Sequence, residues 1–290
     1  MKQRSRKAER AALERQRQKD RAFRDDAGRV HLTMHRDPVT GRERVGLKSR
    51  IFDSDWQNEL VVSAANTVLA ALGQRPTLER VVDVTRRAMA STSELIAGLL
   101  ARAPAGALAC KAGCDHCCYQ VVGVTAAEVL TIFEHLQRTR SAEERERIRA
   151  RARQSYERGR GLSSAERFSP EHPCVFLEGG ACSIYEVRPL SCRGMNSLDA
   201  AECEARLRDP AEWASFLAKG HGGRSYVEPI QAFRAISAGL QLGLAELYRL
   251  DVRPLDLTAA VHALFESGAS LGSAWISGQK PFESALRTSG

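Results

Sequence analysis

All eight cysteines of this 290-residue chain fall between positions 110 and 203. Four stand in one short run, Cys110-Lys-Ala-Gly-Cys114-Asp-His-Cys117-Cys118, a C-x3-C-x2-C-C pattern. Cys174, Cys182, Cys192 and Cys203 follow after a gap. Cysteines placed by chance would scatter along the whole chain, so this concentration points to thiols that act together.

A chain of this length can bury an apolar core large enough to fold without covalent staples. Residues Met1 to Arg24 are charged nearly throughout and hold no apolar run that could serve as a signal-peptide core. No later stretch approaches the roughly 18 apolar residues of a membrane span. The expected location is therefore cytoplasmic, with no membrane partner. Thiols stay reduced there, so clustered cysteines read as metal ligands or redox groups, with disulfides as the alternative.

Thiolate-binding metals need several sulfurs converging at about 2.3 Å from one centre. Gaps of two or three residues let successive cysteines turn inward from one loop, and Gly113 helps such a loop close. Three ligands from one segment and one from a distant segment is a common plan for a cubane 4Fe-4S iron–sulfur cluster. Zinc more often takes pairs from two knuckles. All eight residues, Cys110, Cys114, Cys117, Cys118, Cys174, Cys182, Cys192 and Cys203, are candidate ligands for an iron–sulfur cluster, iron or Zn. Cys110, Cys114 and Cys117, with one thiolate of the 174–192 return segment, read as a primary site. Adjacent side chains diverge, so one of Cys117 and Cys118 is expected to serve a second metal, a bridge or a redox role. Cys118 and Cys203 decide between one site and two. His116 is either a nitrogen ligand or a neighbour of the ligands, and His172 is a weaker candidate. Lys111 and Arg193 could offset the negative charge of the thiolates.

These motifs resemble the YkgJ-type cysteine-cluster family of zinc- or iron-chelating domains. The likeness continues through Pro173-Cys174-Val175-Phe176-Leu177, Gly180-Ala181-Cys182-Ser183-Ile184-Tyr185-Glu186 and Arg188-Pro189-Leu190-Ser191-Cys192-Arg193. Cys203 fits the final cysteine of some members. The resemblance implies metal or cluster binding and no settled reaction. A similar cysteine module accompanies methyl transfer in enzymes of the flagellin lysine-N-methylase type. This chain has no Gly-rich nucleotide fingerprint after a strand, so that activity is not carried over, and an enzyme that uses the cluster for redox chemistry or protein modification stands as the alternative to a binding protein. Cys110, Cys114 and Cys117 alone also reproduce the C-x3-C-x2-C of radical S-adenosylmethionine enzymes. The alternating strands and helices of their barrel do not follow Cys118, which sets that class aside.

The flanks read as helical, since Ala, Leu, Arg and Glu dominate and aromatics are 6% of the chain. Helices are expected from Asp55 to Leu72 and from Leu78 to Ala103, the latter with Thr77 as N-cap. Capping boxes at Thr125/Glu128 and Ser141/Glu144 open two more, the second running to about Gly159 and mostly solvent-facing. Residues 159–172 read as a loop, with Phe176, Ile184 and Tyr185 shielding the site behind it. A short helix is expected after Asp209-Pro210, and apolar helices over about 229–249 and 255–266. The last 20 residues, rich in Ser and Gly, read as loose.

The expected fold is mainly α: a helical domain with an irregular cysteine-rich metal site, little sheet, and a short N-terminal hairpin around Asp37-Pro38-Val39-Thr40-Gly41. Its parts are a basic flexible or helical tail (1–27), an N-terminal helical region (28–104), the cysteine-cluster region (105–205) and a C-terminal helical region (206–290). The net charge of +8 owes much to the tail. Only Phe23 interrupts its basic residues, so a nucleic-acid partner is not favoured, although the tail leaves it open. The tail could also contact an acidic protein partner, in which case the metal would be a purely structural zinc.

Overall fold

The computed structural model describes residues 31–104, 107–111, 113–219 and 223–287. The basic tail 1–27, Ala112 within the first motif and His221 lie outside them. Among the described residues the fold is mainly α, with sheets of two short strands only. No helix there is long and apolar enough to cross a membrane.

The expected N-terminal hairpin is present. Strands β1 (Leu32–Arg36) and β2 (Glu43–Leu47) pair antiparallel with Leu32 opposite Leu47. The Asp37 carboxylate accepts the Val39 and Thr40 amides at 3.0 and 2.8 Å and shapes the turn. Period-two alternation turns Leu32 and Val45 inward, onto Ala65, Leu69 and Leu247. Side chains from the helical body then dock the hairpin. Asn66 holds the Val45 N–H and C=O at 3.0 and 2.9 Å, as a neighbouring strand would. The buried Glu246 accepts the amides of His31 (2.9 Å) and Leu32 (2.7 Å). Glu246 sits on a π-helical turn, Gly243–Leu247, which interrupts what the sequence suggested as one helix over 229–249.

Helices α1 (Asp55–Leu72) and α2 (Leu78–Leu100) follow the sequence expectation closely, with Thr77 accepting the Arg80 amide at the start of α2. After the first cysteine motif come β3 (Gly123–Val124), α3 (Ala126–Thr139) and α4 (Ala142–Gly159), both helices opened by complete capping boxes. The cysteine return segment carries β4 (Leu177–Glu178), β5 (Ala181–Cys182), α5 (Leu190–Gly194) and α6 (Ala200–Arg208). Then follow α7 (Pro210–Ala218), α8 (Val227–Leu242), β6 (Leu255–Asp256), α9 (Leu257–Ser267) and α10 (Ser270–Ile276).

One apolar cluster runs through the body, drawing on α1, α2, α3, α9 and the return segment. Strands β3 and β6 pair with Gly123 opposite Asp256, and the Leu257 amide donates to Val122 O at 3.0 Å. That bond fixes the chain leaving the first cysteine motif to the start of α9. Of the final 20 residues, those described, 271–287, are not loose as expected. Trp275 and Phe282 are wholly enclosed, the Trp275 indole N–H donates to Asp251 O at 2.8 Å, and the Arg287 amide donates to Pro254 O at 2.9 Å. Two aromatics outweigh the many Ser and Gly residues because each buries a large apolar surface.

Helices α1 and α8 lie close together at Gly239. A Cβ there would fall 2.3 Å from Val61 O and 2.7 Å from Ala64 Cβ. Gly239→Ala should therefore destabilise the protein by about 2 kcal/mol, overpacking outweighing the gain of about 1 kcal/mol in helix propensity. Urea unfolding measures the sign, and a stabilised variant would show that the two helices separate freely.

Candidate metal centre

Four limbs of chain carry the cysteines to one region. The first is 110–118. The Ala109 amide donates to Ser197 O at 2.9 Å, and the Ser197 amide donates back to Cys110 Sγ at 3.2 Å. A turn follows, closed by the Cys114 amide on Lys111 O at 3.0 Å. Gly113 has φ +82° in that turn, in the left-handed region that a side chain would strain. A 3-10 turn over His116–Tyr119 then presents Cys117 and Cys118. At three residues per turn their side chains leave the axis about 120° apart.

The second limb begins at Cys174, whose amide donates to Cys118 O at 2.7 Å. This backbone bond joins the two halves of the cysteine segment directly. Gly179 and Gly180, both at positive φ, form the two-residue turn between β4 and β5, where Cys182 pairs with Leu177. The turn comes up to the first motif, so that a Cβ on Gly180 would lie 3.9 Å from Gly113 O.

The third limb is α5, which carries Cys192. The carboxylate of Glu128, in the first turn of α3, accepts the Leu190 amide at 3.0 Å. Its other oxygen takes the Thr125 amide and hydroxyl at 2.8 and 3.0 Å. Burial pushes the Glu128 pKa up, opposed by these three donors and by Arg193. Arg193 is also buried. It donates to Glu186 O at 2.6 Å, Arg188 O at 2.9 Å and the Ser93 hydroxyl, and burial lowers its pKa to about 10. Gly194 lets α5 lie against α8, since a Cβ there would clash with Phe233 and Pro229 O.

The fourth limb is α6, bearing Cys203. Asp199 caps it through the Ala201 and Glu202 amides, and Arg224 pairs with both Asp199 (2.7 Å) and Glu202 (3.2 Å).

The eight cysteines are free thiols. Among the described residues, no three His, Cys, Asp or Glu side chains are already closed around a point that could hold an ion. The thiols are instead neighbours in smaller groups. Cys114, Cys117 and Cys203 act on Cys110, and Ser197 bonds to both Cys110 and Cys203. Cys117, Cys174 and Cys182 act on Cys118, and the thiols of Cys174, Cys117 and Cys182 act on Cys192. Cys203, about which the sequence left doubt, thus lies within electrostatic reach of Cys110, Cys114 and Cys117.

Burial sets most of the electrostatics. It pushes the Cys174 thiol up to about 12 and raises Cys110, Cys182, Cys192 and Cys203 as well. Cys117 goes the other way, to about 7, because the Cys118 thiol bonds to its sulfur and Arg188 attracts the thiolate. Cys118 is raised correspondingly. A buried thiol held protonated in this way ionises when a cation replaces its proton, so ligation here releases protons.

The donor set suits a thiophilic metal. The buried polar atoms without a hydrogen-bond partner include His116 Nδ1, inside the first motif, Ser183 Oγ, next to Cys182, and Arg188 Nε. His116 thus retains a spare nitrogen, which fits either role read from the sequence. Arg188 lies 4.1 Å over the Tyr185 ring, and its charge acts on Cys117, Cys182 and Cys192. Arg193, which holds backbone carbonyls, acts on Cys182 as well. Phe176 and Ile184 are enclosed as expected, but Tyr185 is 62% exposed and shields little. His172 and Cys174 share a crevice with Arg158, Arg167 and Glu171.

Sequence reasoning missed Ser197, which carries no motif, and the second partner of Glu128. It also passed over Gly179-Gly180, a two-residue hairpin signal that could have located β4 and β5. Replacing Glu128 by Ala strands the Leu190 and Thr125 amides and should cost about 3 kcal/mol in the metal-free protein, with Gln losing less. Urea midpoints compare the three proteins, and an unchanged midpoint for the Ala variant would remove the clamp on α5.

No curated protein and no solved structure matches this chain. Residues 109–209, about a third of the chain and all four limbs, match the family model CxxCxxCC, described as a putative zinc- or iron-chelating domain, which is the family that the cysteine motifs resemble.

Proposed function

We propose that this chain holds an iron–sulfur cluster through clustered cysteine thiolates, with zinc as the competing occupant. One observation carries the reading: four separate limbs bring eight free thiols to one region, across a gap of more than 50 residues between Cys118 and Cys174. The family match supports zinc or iron chelation at this coarser level. Sulfur outnumbers nitrogen heavily here, and three thiols from one short segment with a fourth from a distant one is the plan of cubane clusters. Arg188 supplies a positive charge against the thiolates, as an anionic centre requires. Free thiols of this kind fit a reducing compartment, and the cytoplasm is the location we propose.

Anaerobic purification of the untagged full chain should give a brown protein with visible absorption, iron and acid-labile sulfide. A colourless protein carrying stoichiometric zinc would replace the cluster by a zinc centre. A protein with neither metal would overturn the reading.

A further inference from the structure

We infer that Ser197 is a positioning residue of the metal centre: its backbone N–H holds the Cys110 sulfur and tunes it as a donor to the bound metal. The inference rests on the metal-binding reading above and adds to the thiols a residue that ligates nothing itself. The Ser197 amide donates to Cys110 Sγ at 3.2 Å, while the Ala109 amide donates to Ser197 O at 2.9 Å. These two bonds bracket Cys110 from a residue 87 positions away. Neighbouring amides bond locally, Ala107 to Pro104 O and Cys114 to Lys111 O. Among the described residues the bracket therefore supplies the long-range attachment at this end of the motif.

Ser197 is itself held firmly by protein groups. The Leu198 amide donates to Arg224 O at 3.0 Å. The Asn196 side chain accepts the Tyr226 amide at 2.7 Å and donates to Tyr226 O at 3.0 Å. The Ser197 hydroxyl accepts the Asp199 amide at 3.1 Å and donates to Asp199 O at 2.9 Å, closing the turn into α6. The serine thus stands in a frame tied to the start of α8.

Cys110 is exposed, so its side chain would otherwise sample several rotamers, and the bond from Ser197 selects one. As a thiol, Cys110 also has Ser197 O as an acceptor, 4.0 Å away. As a metal-bound thiolate it has no proton to give, and the negative sulfur accepts the Ser197 N–H more strongly. A hydrogen bond to a ligating sulfur draws charge from it, which is how an outer partner adjusts affinity and potential.

The test uses the full chain, reduced and metal-stripped. Labelled with ¹⁵N and loaded anaerobically with ¹¹³Cd²⁺, wild type should show the Ser197 amide proton coupled to cadmium through the hydrogen bond. A serine that merely supports the fold gives no such signal. Cadmium bound without that coupling would overturn the inference and leave the metal-binding reading standing. No cadmium bound would remove the metal-binding reading itself. Ser197→Pro deletes the N–H. It should bind Co²⁺ about tenfold more weakly and move the thiolate-to-cobalt charge transfer to lower energy. Ser197→Ala keeps the N–H and should keep the wild-type band. An unshifted band in folded Ser197→Pro, or an equal shift in both variants, overturns the inference as well. Should Ser197→Pro fail to fold by circular dichroism, the cadmium coupling in wild type decides.

Discussion

The placement of the cysteines depends on a carboxylate that reaches none of them. Glu128 begins a helix by satisfying Thr125 and, with its second oxygen, holds the amide of Leu190 two residues before Cys192. A buried carboxylate is expensive to keep charged, and only several well-aimed donors make it tolerable. Those donors come from both sides of the segment, so the cost is met only when the two halves are together. Arg193 does the same with opposite charge, taking two backbone carbonyls and a hydroxyl from a separate helix. Both side chains therefore fasten the cysteine-bearing segments to the helices around them by bonds between protein groups alone.

The helices were legible because their signals are local. Thr77, Thr125 and Ser141 each cap the helix expected of them, and Asp55–Leu72 ends at Gly73 as read. A capping oxygen and its amide lie within four residues, so the sequence holds both partners. What stayed hidden joins residues far apart. Nothing near Glu246 announces that its carboxylate will receive the amides of a hairpin more than 200 positions away. The C-terminal stretch was misread for a related reason: its composition suggested looseness, while Trp275 and Phe282 find their partners in the body of the fold.

The cysteine site divides along the same line. The eight thiols and their shared purpose could be read from spacing, and the family match over 109–209 agrees with the resemblance. Which thiol neighbours which could not be read, because α6 returns from beyond the site and brings Cys203 to Cys110 through a serine of no recognisable motif. The spacing favoured a 174–192 thiolate as the fourth member of the first group, and Cys117 acts on Cys174, Cys182 and Cys192 as well as on Cys203.

The pair α3 and α4 occupies the stretch between the two cysteine-bearing halves, and both ends of that stretch are fastened at one backbone bond, Cys174 N–H to Cys118 O. In polymer terms it is a loop whose mouth is fixed and whose contour is not. Closing a loop costs only about 0.6 kcal/mol more each time its length doubles. Chain closure therefore sets little limit on the length of this excursion; what ties helix α4 to the body is the narrow face carrying Ile148 and Ala152, with Arg151 reaching Glu178.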